Sequence, residues 1–125
     1  MSLSRKKKTA PPASLDAALQ RLEERHRALL RELADIGPVL RGTIGTRRAR
    51  CGKSRCHCHS DPEALHGPYR IWTRKVAGKT VTVTLSAEQA ARCQQWTKNM
   101  RRLARLVKAL QNVGLRAADA VRSAE

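Results

Sequence analysis

Two stretches of the chain carry apolar residues at alternating intervals of three and four, the spacing that places side chains along one face of a helix. The first stretch begins after Ser14, a favourable N-cap residue, and ends before Gly37 and Pro38. We therefore expect a helix over residues 14–36, with His26 as a packing residue and not as a ligand. Its apolar seam would consist of Leu15, Leu19, Leu22, His26, Leu29, Leu33 and Ile36.

The second stretch follows Ser86 and Gln89, which have the spacing of a capping box. It predicts a helix over residues 86–113, and the weaker pattern after Gly114 indicates a helical or frayed tail over residues 114–125. The two seams would meet as an antiparallel, coiled-coil-like pair, within one chain or across a homodimer. The second seam would consist of Cys93, Trp96, Met100, Leu103, Val107 and Leu110.

Between the two helices the pattern changes to the alternation that is typical of a β-strand. Val81, Val83 and Leu85 alternate with threonines, and a short glycine-containing turn precedes them. Residues 69–85 therefore predict a β-hairpin, whose apolar face must be covered because an isolated hairpin is marginal in water. Residues 37–68, rich in glycine, proline, cysteine and histidine, predict an irregular loop.

The charge of the chain is strongly positive, since 26 Lys and Arg residues against 10 Asp and Glu residues give a net charge of +16. Residues 1–13 are predicted to be a disordered basic arm, but most of the excess lies in the middle segment and in the second helix. Such a surface attracts polyanions, because each phosphate that it neutralises releases condensed counterions. Nucleic acid is therefore the expected partner, ahead of an anionic membrane surface or a basic tail that only aids solubility.

The middle segment carries three cysteines within eight residues and a histidine shortly after them. No apolar run has the length of a signal-peptide core or a membrane span, so we expect a cytoplasmic or nucleoid-associated protein with reduced thiols. Zinc takes four such ligands in a closed tetrahedron, which predicts one structural Zn²⁺. Free, redox-active thiols and a different metal or metal cluster are the alternatives. The expected ligands are Cys51, Cys56, Cys58 and His66, with His57, His59 and Asp61 as rivals for the fourth position.

A longer pattern surrounds these ligands: Cys-Gly-Lys-x-x-Cys-x-Cys, then His-Gly-Pro-Tyr, an aromatic strand, Gly-Lys-Thr and a basic helix. Over roughly residues 37–110 it resembles a family of short, basic, cysteine-rich bacterial and archaeal proteins described only as a domain of unknown function, often found near transposase genes. The resemblance implies that His66 is the fourth ligand and that the protein is an accessory factor of mobile elements. The matching residues are Cys51, Gly52, Lys53, Cys56, Cys58, His66, Gly67, Pro68, Tyr69, Trp72, Gly78, Lys79 and Thr80.

Basic residues cluster in three places where they could contact phosphate. One group surrounds the cysteine loop, a second lies on the hairpin, and a third forms a stripe on the second helix, for which a solvated outer face is the alternative. Tyr69 and Trp72 are expected to pack the hairpin against a helix more than to stack on bases. The predicted nucleic-acid-binding residues are Arg41, Arg47, Arg48, Arg50, Lys53, Arg55, Arg70, Arg74, Lys75, Lys79, Lys98, Arg101, Arg102 and Arg105.

The middle segment lacks the residues that catalysis requires. Its acidic residues are Asp61 and Glu63, which fall short of the carboxylate set of a two-metal nuclease. The Gly-Lys-Thr at residues 78–80 lacks the earlier glycine of a P-loop and has no helix after it. We therefore expect a protein that is not an enzyme and has no small-molecule substrate.

Together these patterns predict an α+β protein with residues 14–113 as a single small domain. It would contain an N-terminal helix, an irregular loop stapled by zinc, a β-hairpin and a long C-terminal helix. The expected function is that of a zinc-binding, DNA-binding accessory factor of a mobile element, as a homodimer and without a membrane partner. RNA binding and a role as a coiled-coil adaptor between proteins are the alternatives.

Overall fold

The computed structural model describes residues 14–124, and the predicted basic arm over residues 1–13 lies outside them. Two compact units divide the chain: the first contains the described parts of residues 1–35 and 104–125, and the second contains residues 36–103. The predicted mixed α+β class is confirmed. In chain order the elements are α1, Leu15–Ala34; β1, Thr43–Ala49; two single-turn 3-10 helices, His57–His59 and Pro62–Ala64; β2, His66–Val76; β3, Lys79–Leu85; and α2, Ala87–Ser123.

Both predicted helix starts are capped as the sequence indicates. The hydroxyl of Ser14 accepts a hydrogen bond from the backbone N–H of Ala17 at 3.2 Å. At the start of α2 the Gln89 N–H donates to the Ser86 hydroxyl at 3.1 Å, and the Ser86 N–H donates to the Gln89 side chain at 2.8 Å. The helix continues through Gly114, so the predicted tail is helical to Ser123. Within the part of the chain described, neither helix is long and apolar enough to cross a membrane.

The first unit is an antiparallel pair made by α1 and the last part of α2. Leu22 of α1 and Val113 of α2 line the same cavities. Leu15, near the start of α1, lines another cavity with Ala120, near the end of α2, and the two pairings fix the antiparallel direction. The most buried side chains of this unit are Leu29 and Leu106.

The predicted seam residues from Leu15 to Leu33 lie in α1, although His26 among them is exposed. The helix ends at Ala34, two residues before the predicted end, so the predicted seam member Ile36 lies outside it. The seam of α2 differs at one step: Leu106 is 7% exposed, whereas the predicted member Val107 is 42% exposed. These two residues stand three and four positions after Leu103, and both positions lie near the same face of a helix. The sequence spacing could not distinguish the two positions, and the structure buries the leucine.

The second unit contains an antiparallel sheet with the strand order β1-β2-β3. The strands β2 and β3 form the predicted hairpin. The strand β1 was not predicted, because Thr43–Ala49 lies in the segment expected to be irregular. Its only large apolar residue is Ile44, and two arginines and a glycine break any alternation. Pairing with β2, a tertiary interaction, makes this segment a strand.

Residues that oppose each other across the strands project from the same face of the sheet. On one face, which we call the apolar face, Trp72 lies between Ile44 and Val83. The opposite face, which we call the threonine face, consists of Thr43, Thr73, Thr80, Thr82 and Thr84 with Gly45, Arg47, Tyr69, Ile71 and Lys75.

The segment before β1 is fastened to α2 within the second unit. The backbone N–H of Leu40 donates to the carbonyl of Trp96 at 3.1 Å. The side-chain amide of Asn99 donates to the carbonyl of Pro38 at 2.8 Å. These two bonds fix the position from which β1 starts.

Two adjacent leucines of α1 test the packing of the first unit. Leu29 is 1% exposed and Leu30 is 42% exposed. The Leu29→Ala variant should lower the free energy of unfolding by about 2–5 kcal/mol, because it leaves a cavity where a buried leucine side chain packs. The Leu30→Ala variant should cost less than about 1 kcal/mol. Chemical denaturation followed by far-UV circular dichroism measures both, and equal losses would contradict the packing described here.

Candidate metal centre and basic surface

The pairing of β1 with β2 closes the cysteine loop at its base. Ala49, the last residue of β1, opposes His66, the first residue of β2, beyond a register shift that follows Arg47. Cys51 comes two residues after β1 and is therefore brought towards His66. The strand pairing thus brings Cys51 and His66 together, and the loop between them supplies Cys56 and Cys58.

The 3-10 helix His57–His59 presents the remaining two thiols. Cys56 is the residue before its first turn, and Cys58 is its central residue. The backbone N–H of Cys56 donates to the carbonyl of Lys53 at 3.1 Å, which closes a tight turn between Cys51 and Cys56. Tight turns of this kind are how cysteines are presented to zinc.

The four predicted ligands form one cluster. Their donor atoms, the Sγ of Cys51, Cys56 and Cys58 and a ring nitrogen of His66, all lie within 4.8 Å of one another. The Sγ atoms of Cys51 and Cys58 are 3.7 Å apart, and the Sγ of Cys56 is 3.2 Å from the Nε2 of His66. With Zn–S bonds of about 2.3 Å, a zinc tetrahedron separates its sulfur atoms by about 3.8 Å. The donor set and its spacing are therefore consistent with the predicted single structural Zn²⁺.

The surroundings of the thiols favour a bound cation. A hydrogen bond from the backbone of Cys58 and another from the side chain of His66 lower the pKa of Cys56 to about 6. At neutral pH Cys56 is therefore largely a thiolate, the form that binds metal. Burial raises the pKa of Cys58, which is 0% exposed, so a metal must displace its proton. The N–H of Cys51 donates to the Sγ of Cys58 at 3.3 Å and supports the metal-bound thiolate.

The three rival ligands lie outside this cluster. His59 donates from Nε2 to the carbonyl oxygen of Cys51 at 2.9 Å, so its ring tethers the loop. The carboxylate of Asp61 accepts the backbone N–H of Glu63 at 3.0 Å and caps the second 3-10 helix. His57 is exposed. The sequence could not separate these residues from His66, because their roles follow from local hydrogen bonds within the folded loop.

Arg48, one of the predicted nucleic-acid-binding residues, is engaged in holding the loop. Its Nη2 donates to the carbonyl of Leu65 at 2.7 Å and to that of Glu63 at 3.4 Å. A guanidinium can bond two acceptors from one rigid fork, so Arg48 fastens the end of the loop to β1. Sequence reasoning missed this role, since only the pairing of β1 with β2 brings these residues together.

The sheet carries basic residues on both of its faces. Arg47 and Lys75 project from the threonine face, and Arg70 and Arg74 project from the apolar face. The guanidinium of Arg74 lies 3.9 Å from the centre of the Trp72 ring, a cation–π contact. No aspartate or glutamate stands in β1, β2 or β3, so the strands contain no carboxylate to offset this charge.

The other predicted phosphate contacts lie around the sheet and on α2. Arg41 precedes β1, and its carbonyl accepts a hydrogen bond from the indole N–H of Trp72 at 2.9 Å. None of these placements tests whether the side chains contact nucleic acid, so that role stays a prediction. Exposed residues of the cysteine loop are Arg50, Lys53 and Arg55, the first residue of β3 is Lys79, and α2 carries Lys98, Arg101 and Arg102 in the second unit and Arg105 in the first.

The proposed ligand set predicts that zinc binding requires a cysteine of the cluster and does not require Cys93. The Cys58→Ser variant should lose the zinc and much of the thermal stability of the second unit, because zinc binding contributes directly to folding. The Cys93→Ser variant should keep about one zinc per chain, because Cys93 lies on α2 and outside the cluster. Elemental analysis of the purified proteins measures both. A full complement of zinc in Cys58→Ser would remove this thiol from the ligand set.

Comparison with known proteins gives one match. A family model described as a domain of unknown function, DUF6788, matches residues 19–95. The matched segment contains the four ligands and the whole sheet, and it begins earlier and ends earlier than the resemblance in the sequence suggested. No curated protein and no solved structure matches the chain significantly. The chain therefore belongs to the DUF6788 family of domains of unknown function.

Proposed function

We propose that this protein binds nucleic acid through the cationic sheet and cysteine loop of its second unit, with duplex DNA as the preferred partner. The observation that carries the proposal is the charge of the sheet. Its three strands hold six basic residues and no acidic residue. Such a surface attracts a phosphate backbone, because the strands contain no carboxylate to cancel their positive charge.

The metal centre supports a binding function over a catalytic one. Four protein ligands complete a zinc tetrahedron, so a bound Zn²⁺ would keep no open position for a water or a substrate. Zn²⁺ at Cys51, Cys56, Cys58 and His66 would instead hold the cysteine loop and the adjoining strand ends in one geometry. The proposed protein is therefore a scaffold with a fixed basic surface, and not an enzyme.

The proposed cellular role is that of an accessory DNA-binding factor of a mobile element, acting in the cytoplasm or at the nucleoid. This part of the proposal rests on the sequence resemblance. Base-specific recognition is not part of it, because the residues concerned are arginines and lysines suited to phosphate contacts.

A second candidate function is the docking of a protein, with a second copy of the chain as the proposed occupant. It rests on apolar side chains that the helices of the first unit leave exposed. Leu115 is 64% exposed, Val121 45% and Leu30 42%. Burial of such residues in a homodimer would remove apolar surface from water.

The leading proposal is tested by the salt dependence of binding. The zinc-loaded full-length chain is titrated against labelled duplex DNA and against a structured RNA of the same length. For six phosphate contacts, affinity should fall by about 10³-fold between about 50 mM and 200 mM salt. Tighter binding of the RNA at every salt concentration would make RNA the partner. Binding of neither polymer at low salt, with a stable dimer in sedimentation equilibrium, would favour the second candidate.

Two exposed arginines of the second unit form a matched pair for this assay. Arg47 projects from the threonine face, whereas Arg92 on α2 is paired with Glu88 at 3.5 Å. The Arg47→Gln variant should weaken binding to all sequences alike and reduce the salt slope by about 1. The Arg92→Gln variant should change the slope less. Equal effects of the two variants would mean that the sheet is not the contact surface.

A further inference from the structure

A pocket of about 390 Å³ opens at the end of the sheet that lies farthest from the metal centre. Here β1 begins at Thr43, opposite Thr73, while β2 continues to Val76 with β3 as its only neighbour. The missing length of β1 leaves a notch along the edge of β2. The metal centre adjoins the other end of the same strands, marked by the Ala49–His66 pair. Six residues of extended strand separate the two ends, on the order of 20 Å.

The residues that line this notch pocket are three basic residues, three threonines and one glycine, and their aliphatic parts form much of its wall. Most of the lining residues in the strands belong to the threonine face, and Arg74 belongs to the apolar face. No acidic residue stands in the chain between Glu63 and Glu88, a range that contains most of the lining. Ammonium, guanidinium and hydroxyl groups are the hydrogen-bond donors that hold oxyanions. The lining side chains are Arg41, Thr43, Thr73, Arg74, Lys75 and Thr80.

Trp72 positions both arginines of the notch pocket. Its indole N–H donates a hydrogen bond to the carbonyl of Arg41 at 2.9 Å. The Arg74 guanidinium lies over its ring, 3.9 Å from the ring centre. Gly42 permits this arrangement, with a φ of +115° that other residues rarely adopt. A Cβ at Gly42 would lie 2.5 Å from the Trp72 Nε1 and 2.5 Å from the carbonyl oxygen of Thr73. The pocket therefore depends on a close backbone approach that only glycine allows.

Within residues 14–124, one nitrogen of the Arg74 guanidinium has no hydrogen-bond acceptor in this arrangement. Its Nη1 is buried and has no hydrogen-bond partner among the described residues. A buried charged donor without an acceptor is unfavourable, because it has lost its bonds to water. Arg74 also lines the pocket, so a small rotation of its guanidinium would bring this nitrogen to the acceptor oxygen of a bound anion.

We propose that the notch pocket binds a phosphate group. Lys75 and Arg41 supply the positive charge at its rim, and the threonine hydroxyls supply neutral donors. Where the phosphate belongs to a nucleic-acid backbone, the inference rests on the proposed function and locates one of its contacts. A free phosphate or a phosphomonoester has the same chemistry. The volume exceeds that of a phosphate and falls in the range of small-ligand sites, about 300–1,000 Å³, so an attached sugar also fits.

Inorganic phosphate is the probe for the first experiment. The zinc-loaded full-length chain is titrated with sodium phosphate, with sodium chloride holding the ionic strength constant, and amide resonances are followed by NMR. Saturable shifts should appear at Thr43, Lys75 and Thr80, and chloride alone should not produce them. The absence of any saturable shift at these residues overturns the proposal.

Two lysines of the hairpin provide matched variants. Lys75 and Lys79 are both exposed and carry the same charge, but only Lys75 lines the notch pocket. The Lys75→Gln variant should lower phosphate affinity by at least about fivefold, and Lys79→Gln by less than about twofold, because only the former loses a charge-assisted contact. Zinc content and the spectrum of the free protein confirm that both variants are folded. Equal losses overturn the proposal.

Duplex DNA in a second experiment separates the two sources of the phosphate. If the backbone supplies it, Lys75→Gln should lower DNA affinity more than Lys79→Gln and reduce the salt slope by about 1. If phosphate saturates the pocket while both variants bind DNA alike, the ligand is a free phosphate or phosphomonoester and the pocket stands. Saturation by phosphate without any DNA binding supports the pocket and contradicts the proposed function. DNA binding without saturation of the pocket by phosphate contradicts the pocket and supports the proposed function.

Discussion

The antiparallel pairing of β1 with β2 is the interaction on which the second unit depends. At one end its register sets Ala49 opposite His66 and so closes the cysteine loop. At the other end it sets Thr43 opposite Thr73 and leaves the edge of β2 open. A slip of one residue would turn each side chain of a strand to the opposite face of the sheet. It would separate His66 from the thiols and mix the apolar face with the threonine face. The register of this one strand pair therefore determines the geometry of both the metal centre and the open edge of β2.

This pairing has little apolar core to hold it, and the metal centre meets that need. Among the described residues of the second unit, the buried ones are Cys58, Ala90 and Thr97, none of them a large aliphatic residue. Small domains with so little buried apolar surface usually require a metal, a disulfide or a partner. Structural zinc contributes about 10–16 kcal/mol in zinc-finger peptides, comparable with the whole stability of an ordinary domain, about 5–15 kcal/mol. The order of the sheet is therefore expected to follow the occupancy of the cysteine cluster.

Local patterns made part of this structure predictable. The helices and the hairpin follow from spacing and capping residues, and the three thiols follow from the scarcity of cysteine and the ligand preference of zinc. The strand β1 could not be predicted, because Ile44 is its only large apolar residue and β2 supplies the rest of its stability. The same tertiary pairing separates His66 from its rivals and gives Arg48 its role in the loop. In the cysteine loop and the sheet, the features that the sequence could not show are therefore those that depend on the pairing of β1 with β2.

The charge of the second unit also divides between the two ends of the sheet. A zinc ion with three thiolates and a neutral histidine would carry a net charge of −1, so Arg50, Lys53 and Arg55 in the loop have an anionic centre beside them. The notch end lies on the order of 20 Å away along the strands, beyond the Debye length of about 8 Å at physiological salt. None of the residues that line the notch pocket there is acidic. A bound zinc would therefore reduce the positive charge of the cysteine loop and leave that of the notch end largely unchanged.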